Sequence, residues 1–240
     1  MKSMKFILSS MILGFAFILT AQTPSQNNIW SMTGQYYDSD DGYIYSLPTQ
    51  NPNIGYDGLP ASNASNAMQD ANGDLLFFIV DGEIYDKEGY MIGNLSWISS
   101  PTNEVKGTSE IAIIPQPGNC SVYYIVAAGS QDFLNTNYNR KPYLAKLDLS
   151  QYSDINASRK GKLIECVSIQ SILPSNATPI EGQPIRQANV YIAASKLRND
   201  NSRLVFITTP YRLYRFKVDN NGFPQAVARF HPKLSRDSIS

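Results

Sequence analysis

Short apolar runs separated by turn signals fill most of this chain, and no helical repeat longer than about two turns interrupts them. Asp74-Leu75-Leu76-Phe77-Phe78-Ile79-Val80 reads as a buried strand entered from the turn Asp70-Ala71-Asn72-Gly73. Asp81-Gly82 reverses it into Glu83-Ile84-Tyr85-Asp86, and Lys87-Glu88-Gly89 leads on to Tyr90-Met91-Ile92. A second unit starts at Glu110-Ile111-Ala112-Ile113-Ile114, breaks at Pro115-Gln116-Pro117-Gly118 and returns as Val122-Tyr123-Tyr124-Ile125-Val126. Its third strand, Tyr143 to Leu149, alternates Tyr143, Ala145, Leu147 and Leu149 with Leu144, Lys146 and Asp148, and its fourth runs from Lys162 to Ile169. A third unit holds Asn189 to Ala194, Arg203 to Thr208 and Tyr211 to Val218, turns at Asp219-Asn220-Asn221-Gly222 and returns as Gln225 to Phe230. Within it Tyr214, Phe216 and Val218 share a buried face, while Arg215 and Lys217 point outward. A partial strand set near Tyr43 to Leu47 precedes all three.

Composition agrees with strands. Charged residues are 17% of the chain, below the ~25% of an ordinary soluble domain, while 15 Tyr and 10 Phe supply side chains that favour a pleated surface. An apolar content of 42% excludes disorder. Units of three or four short antiparallel strands, renewed every ~45–60 residues, predict an all-β, β-propeller-like fold. Three to five blades fit in a complete or partial ring, and a β-sandwich is the alternative. The segments from Ser130 to Arg140 and from Leu173 to Pro184 read as long loops on the propeller faces.

Residues 1–21 read as a signal peptide, and residues 22–240 as the propeller-like domain. Lys2 and Lys5 precede an uncharged apolar run from Phe6 to Leu19, and cleavage is expected after Ala21. Ser9, Ser10 and Gly14 interrupt that run, which falls short of the ~18 apolar residues of a membrane span. The mature chain is therefore expected to be exported, either secreted or held at the outer cell surface, with the periplasm as the other compartment. It is not expected to keep a stable membrane span. Its charge is split: from Gln22 to Thr136 thirteen acids face only Lys87 and Lys106, a net of −11, whereas Asn137 to Ser240 carries a net of +9. The basic residues are scattered through strands and not grouped in a run, so the halves are expected to neutralise each other in one domain, and nucleic acid is not an expected partner.

A single His, His231, excludes chemistry that needs two imidazoles. Cys120 and Cys166 suit an oxidising compartment, where they could pair, but each also stands in an apolar, strand-like context. Their expected places on the second and fourth strands of one unit argue against a bridge.

The residues also carry a resemblance. Asn28-Ile29-Trp30 is similar to the opening of propeller regions in large surface proteins of gliding Bacteroidetes, exported by the type IX secretion system. Asp70 to Phe78, followed by Asp81-Gly82 and Ile84-Tyr85-Asp86, resembles the first blade of those regions. Gly107-Thr108-Ser109 leading to Ile111 to Gly118, then Tyr123 to Val126, resembles their most recognisable block, and Tyr211 to Phe216 a later strand. The chain departs from them at Phe78-Ile79-Val80 before Asp81 and at Asn119-Cys120-Ser121. The resemblance implies fold and location, in gliding-motility-associated proteins of the cell surface, more than it implies an activity.

Chemical motifs are sparse. Asp70, Asn72 and Asp74 have the oxygen spacing of a calcium loop, but Leu75 stands where such a loop needs Gly, so a hairpin turn is expected; the same holds for Asp38, Asp40 and Asp41 before Gly42. Five Asn-x-Ser/Thr triplets, at Asn63, Asn94, Asn119, Asn156 and Asn176, reflect composition. No catalytic pair, cofactor-binding set or metal site is nominated, and no cofactor is expected. The expected function is non-enzymatic binding, adhesion or display, toward a protein or polysaccharide at the cell surface. The alternative is a propeller-type carbohydrate-active enzyme, which would need carboxylates among Asp38, Asp57, Asp81, Asp86 and Glu110 to converge within ~10 Å. At ~45 residues per blade the mature chain makes fewer than five, and the polar stretch 233–240 offers no closing strand. The expectation is therefore the N-terminal part, or a remnant, of a longer product.

Overall fold

A computed structural model describes residues 29–32, 34–39, 41–96, 103–107, 110–131, 139–169, 190–209 and 212–223. Four antiparallel sheets account for its fifteen strands. The first sheet is β1 (Ile29–Met32), β2 (Gln35–Asp38) and β3 (Ile44–Ser46), in that order. The second is a four-stranded meander of β4 (Ser65–Gln69), β5 (Leu75–Val80), β6 (Glu83–Asp86) and β7 (Met91–Asn94). In the third, β8 (Asn103–Glu104) and β9 (Ile111–Pro115) share one edge of β10 (Val122–Gln131), followed by β11 (Asn139–Tyr152) and β12 (Lys160–Ser168). The fourth is β13 (Tyr191–Ala194), β14 (Arg203–Thr209) and β15 (Arg212–Val218).

Turn chemistry explains the reversals. Asp81 and Gly82 both have positive φ, 50° and 84°, as a two-residue type I′ hairpin requires. Gly82 is also fixed by space, because a Cβ there would stand 2.0 Å from the Val105 carbonyl oxygen. The Asn72-Gly73 turn differs from the paired Asx-Gly pattern, since only Gly73 is left-handed. Asp70 closes it by accepting the N–H groups of Asn72 (2.8 Å) and Asp74 (3.1 Å).

The sheets stack face to face in chain order. Phe77 and Phe78 are adjacent in sequence, point to opposite faces of β5, and are both fully buried. Phe77 lies in a core that the second sheet shares with Ile125, Ala145 and Leu163 of the third. Phe78 lies in the core that joins the second sheet to Leu47 and Tyr56, with Tyr36 of the first packed against it. The third sheet is likewise two-faced. Ile125 and Leu147 face the second sheet, while Tyr124 and Leu144 face Val205, Ile207, Tyr214 and Phe216 of the fourth. Each buried aromatic or branched side chain contributes about 1.5–3 kcal/mol, so these three cores hold the stack together.

First strands lie beside first strands. β1 lies along β4, β4 along β9, and β9 along β13, while β7 meets β12 on the other side of the stack. The Asn66 side-chain amide donates to the Ile111 carbonyl at 2.6 Å, and the Ile192 N–H donates to the Glu110 carboxylate at 2.6 Å. These bonds tie successive sheets together at their first strands.

The all-β expectation holds, with corrections in detail. The near-N-terminal set is a full three-stranded sheet, and β4 and β8 were not expected. β10 and β11 run into the supposed loop from Ser130 to Arg140, because their ten-residue backbone ladder continues past the apolar side chains. Leaving aside the two-residue β8, first strands begin at Ile29, Ser65, Ile111 and Tyr191, so the first interval falls short of the expected renewal and the last exceeds it. The signal segment 1–21, the Leu173 to Pro184 loop, the Gln225 to Phe230 strand, His231 and the stretch 233–240 lie outside the described residues.

Candidate functional site

Between the third and fourth sheets, toward the end where β15 finishes, the stack leaves a cleft of about 560 Å³. Its apolar wall is Leu144, Val167 and the ring of Tyr124, met from the fourth sheet by Phe223. Tyr124 and Phe223 are 5.7 Å apart between centroids, and Phe223 leans on buried Phe216 at 5.0 Å. The turn Asp219 to Gly222 shapes the mouth: Asp219 accepts the Asn221 N–H at 2.8 Å, and the Asn220 carbonyl accepts from the Gln116 side-chain amide at 2.9 Å. Gly222 has a φ of 100°, and a Cβ there would come within 2.2 Å of the Tyr124 hydroxyl oxygen. The aromatic floor therefore depends on a glycine in the turn.

The charges around the cleft are mixed. Lys146 on β11 stands directly opposite Glu165 on β12, and Lys217 reaches Asp200 at 3.3 Å while also lining the cleft. Burial works against the nearby Asp148 carboxylate, yet hydrogen bonds from Ser150 and Gln151 hold its pKa below the ordinary range. Burial pushes the Cys166 thiol, on β12, up to about 12. Aromatic faces, one amide and paired charges of both signs suit a polar ligand with an apolar side. Among the described residues no three His, Cys, Asp or Glu side chains are grouped to hold a metal ion.

Four of the five carboxylates weighed for an enzyme accept backbone N–H groups. Asp81 accepts the N–H groups of Ser62 (2.8 Å), Asn63 (2.7 Å) and Ala64 (3.2 Å), pinning the approach to β4. Asp57 accepts from Leu59 at 2.9 Å, and Glu110 holds β13 through Ile192. Asp86 caps Glu88 and Tyr90 and lies 3.4 Å from Arg159, whose guanidinium sits 3.8 Å above the Tyr90 ring. Asp38 is buried where β2 ends, its N–H donating to the Tyr43 carbonyl. Strand direction separates them: Asp81 and Glu110 belong to the end where β5 finishes and β9 starts, and Asp86 to the opposite end.

The other motif residues also have local tasks. Asp41 accepts from the Tyr43 N–H at 2.8 Å and the Tyr45 hydroxyl at 2.5 Å. The Tyr45 hydroxyl bond lowers the Asp41 pKa, and the same bond pushes Tyr45 up to about 12. Asp40 lies outside the described residues. Cys120 and Cys166 are both free thiols, the first exposed and the second buried. Asn94, one of the triplet asparagines, is buried and donates to Glu83. The sequence reading did not single out the cleft, although the Asn221-Gly222 turn marks one edge of it.

Compared with protein-family models, curated proteins and solved structures, the chain matches none.

Proposed function

We propose that this chain is an exported β-propeller-type module of the cell surface that binds and does not catalyse, akin to the propeller regions of gliding, type IX-secreting Bacteroidetes. The observation that carries the reading is the stack itself: meandering sheets pack face to face in chain order, with each first strand beside the next. Blades around an axis require that arrangement, whereas a sandwich has two sheets and one core. The carboxylates support binding over hydrolysis, because Asp57, Asp81, Asp86 and Glu110 each use at least one oxygen to accept a backbone N–H. A glycosidase needs two of them free and facing one substrate. The cleft beside Tyr124 and Phe223 is the ligand seat on this reading, with a polysaccharide or surface protein as the ligand class.

Purified residues 22–240 provide the test. Polysaccharide, glycoside and ester substrates should show no turnover above background. A panel of cell-surface polysaccharides should include one that binds the wild type and binds Lys217→Ala and Phe223→Ala at least ~10-fold more weakly. Hydrolysis that disappears with Asp81→Asn and Glu110→Gln would establish the enzyme instead. Intact secretion with unaltered binding in both cleft variants would remove the cleft from the reading.

A further inference from the structure

Cations that reach solvent in this structure have acids beside them. Arg159 has Asp86 and Glu88, Lys162 has Asp154, and Arg198 and Lys217 share Asp200. Arg203, the first residue of β14, reverses the pattern: it is only 8% exposed and has no carboxylate partner among the described residues. Buried charges are ordinarily paired. The acid closest to it in sequence, Asp200, is engaged elsewhere, accepting from the Ser202 hydroxyl at 2.6 Å and lying 3.3 Å from Lys217.

Alternation along β14 puts Arg203 on the face of Val205 and Ile207, which packs on the third sheet, and register sets it opposite fully buried Val218. An apolar side chain would continue that face. Ser195 is fastened beside it, its N–H donating to the Leu204 carbonyl and its hydroxyl accepting the Leu204 N–H, both at 2.8 Å. The Ser195 carbonyl accepts from Arg203 Nη1 at 3.3 Å, and among the described residues Arg203 makes no other hydrogen bond. Nε is buried without a partner. Burial, with no acid to oppose it, pushes the guanidinium below its ordinary pKa. Arg198 to Asn201, the turn leading into β14, is exposed, so Arg203 lies one turn beneath the surface. That turn meets the β9–β10 turn, since a Cβ on Gly118 would stand 3.8 Å from Asn201 Nδ2.

We infer that Arg203 is an oxyanion receptor, holding a carboxylate, sulfate or phosphate group side-on across Nε and Nη2. Those two N–H donors form one edge of a rigid fork, and their spacing matches two oxygens of such a group. With Nη1 on the Ser195 carbonyl, that edge is the part of the guanidinium the described residues leave unused. Packing does not explain the residue, because an apolar side chain of similar length in place of a buried charge is neutral or stabilising. A ligand does explain it, by supplying the negative charge that the fold omits. Arg203 is not among the residues lining the cleft beside Tyr124 and Phe223, so this site stands whether or not that cleft binds.

Purified residues 22–240 in chloride buffer should melt at a temperature that rises and then saturates as sulfate is added from about 0.1 to 10 mM, and chloride at equal ionic strength should not reproduce the rise. Arg203→Met should melt no lower than the wild type in buffer alone and should not respond to sulfate. Arg203→Lys keeps the charge without the fork and should bind sulfate at least ~10-fold more weakly. Further arms with acetate, inorganic phosphate and oligogalacturonate separate the sources of the group. Tighter binding of oligogalacturonate than of acetate assigns the site to a polymer-borne carboxylate, and tighter binding of sulfate or phosphate than of either assigns it to a free ion; both support the receptor when Arg203→Met abolishes them. A wild type without a saturating response, an equal response in Arg203→Met, or Arg203→Met melting well below the wild type in buffer alone would each overturn the proposal.

Discussion

The second and fourth sheets are built from similar sequence, yet they sit in different environments. In β5, Phe77 and Phe78 are both fully buried because a sheet covers each face. In β14, Val205 and Ile207 are fully buried while their neighbours Leu204 and Phe206 are only partly covered. The difference lies in position within the stack, not in strand propensity. A middle sheet has two cores to satisfy, and an end sheet has one. Among the described residues, the middle sheets should therefore contribute most to stability.

That contrast can be broken most directly in the aromatic residues. Phe77→Ala should cost about 3–5 kcal/mol in urea unfolding, the usual loss for a fully buried Phe. Phe206→Ala, at a partly covered position, should cost less than about 1.5 kcal/mol in the same measurement. Equal losses would mean that the fourth sheet is covered as fully as the second.

Turns sharpen the contrast at a smaller scale. Gly82→Ala should destabilise by about 2–3 kcal/mol, because a left-handed φ and the Val105 carbonyl both oppose a Cβ. Gly42→Ala, in the first sheet at a φ of 77° with open space around it, should cost only about 1 kcal/mol. Asp81→Ala should fall between them, at roughly 1.5–2.5 kcal/mol, since it strips three N–H groups before β4 of one acceptor. Denaturant midpoints for the three variants check the order.

The titratable groups give the smallest effects. Burial pushes Tyr123, between the second and third sheets, up to about 12, above the ordinary 10 of the unfolded chain. A raised pKa favours the neutral hydroxyl in the fold, so this contribution is complete below pH 10 and fades as pH climbs toward 12. An alkaline unfolding series should show stability declining over that window, and Tyr123→Phe should flatten the decline. The thiols differ in the same way. Exposed Cys120 should react with a thiol reagent at once, and Cys166, buried and pushed up to about 12, only as the third sheet opens. Two equally fast thiols would place Cys166 outside the core.

Much of the fold was legible because apolar alternation and turn residues are local signals. β5, β9, β14 and β15 announce themselves, as do the Asp81-Gly82 and Asn221-Gly222 reversals. β4 did not, since Ser-Asn-Ala-Met-Gln has no apolar period. It is a strand because β5 pairs with it and because β1 and β9 flank it with their own first strands. The cleft was equally silent: Tyr124, Lys146, Glu165 and Phe223 come from separate strands and one turn, and no spacing in the chain brings them together.

The amino-acid sequence by itself determined that this chain forms strands, where most of them reverse, and which side chains alternate, because backbone preference and side-chain period act over a few neighbours. Only the tertiary structure decided which faces are covered twice, which carboxylates hold the backbone and where a cleft remains. Those outcomes depend on one sheet finding another, and residues such as Asn66 and Ile111 meet only after both have formed.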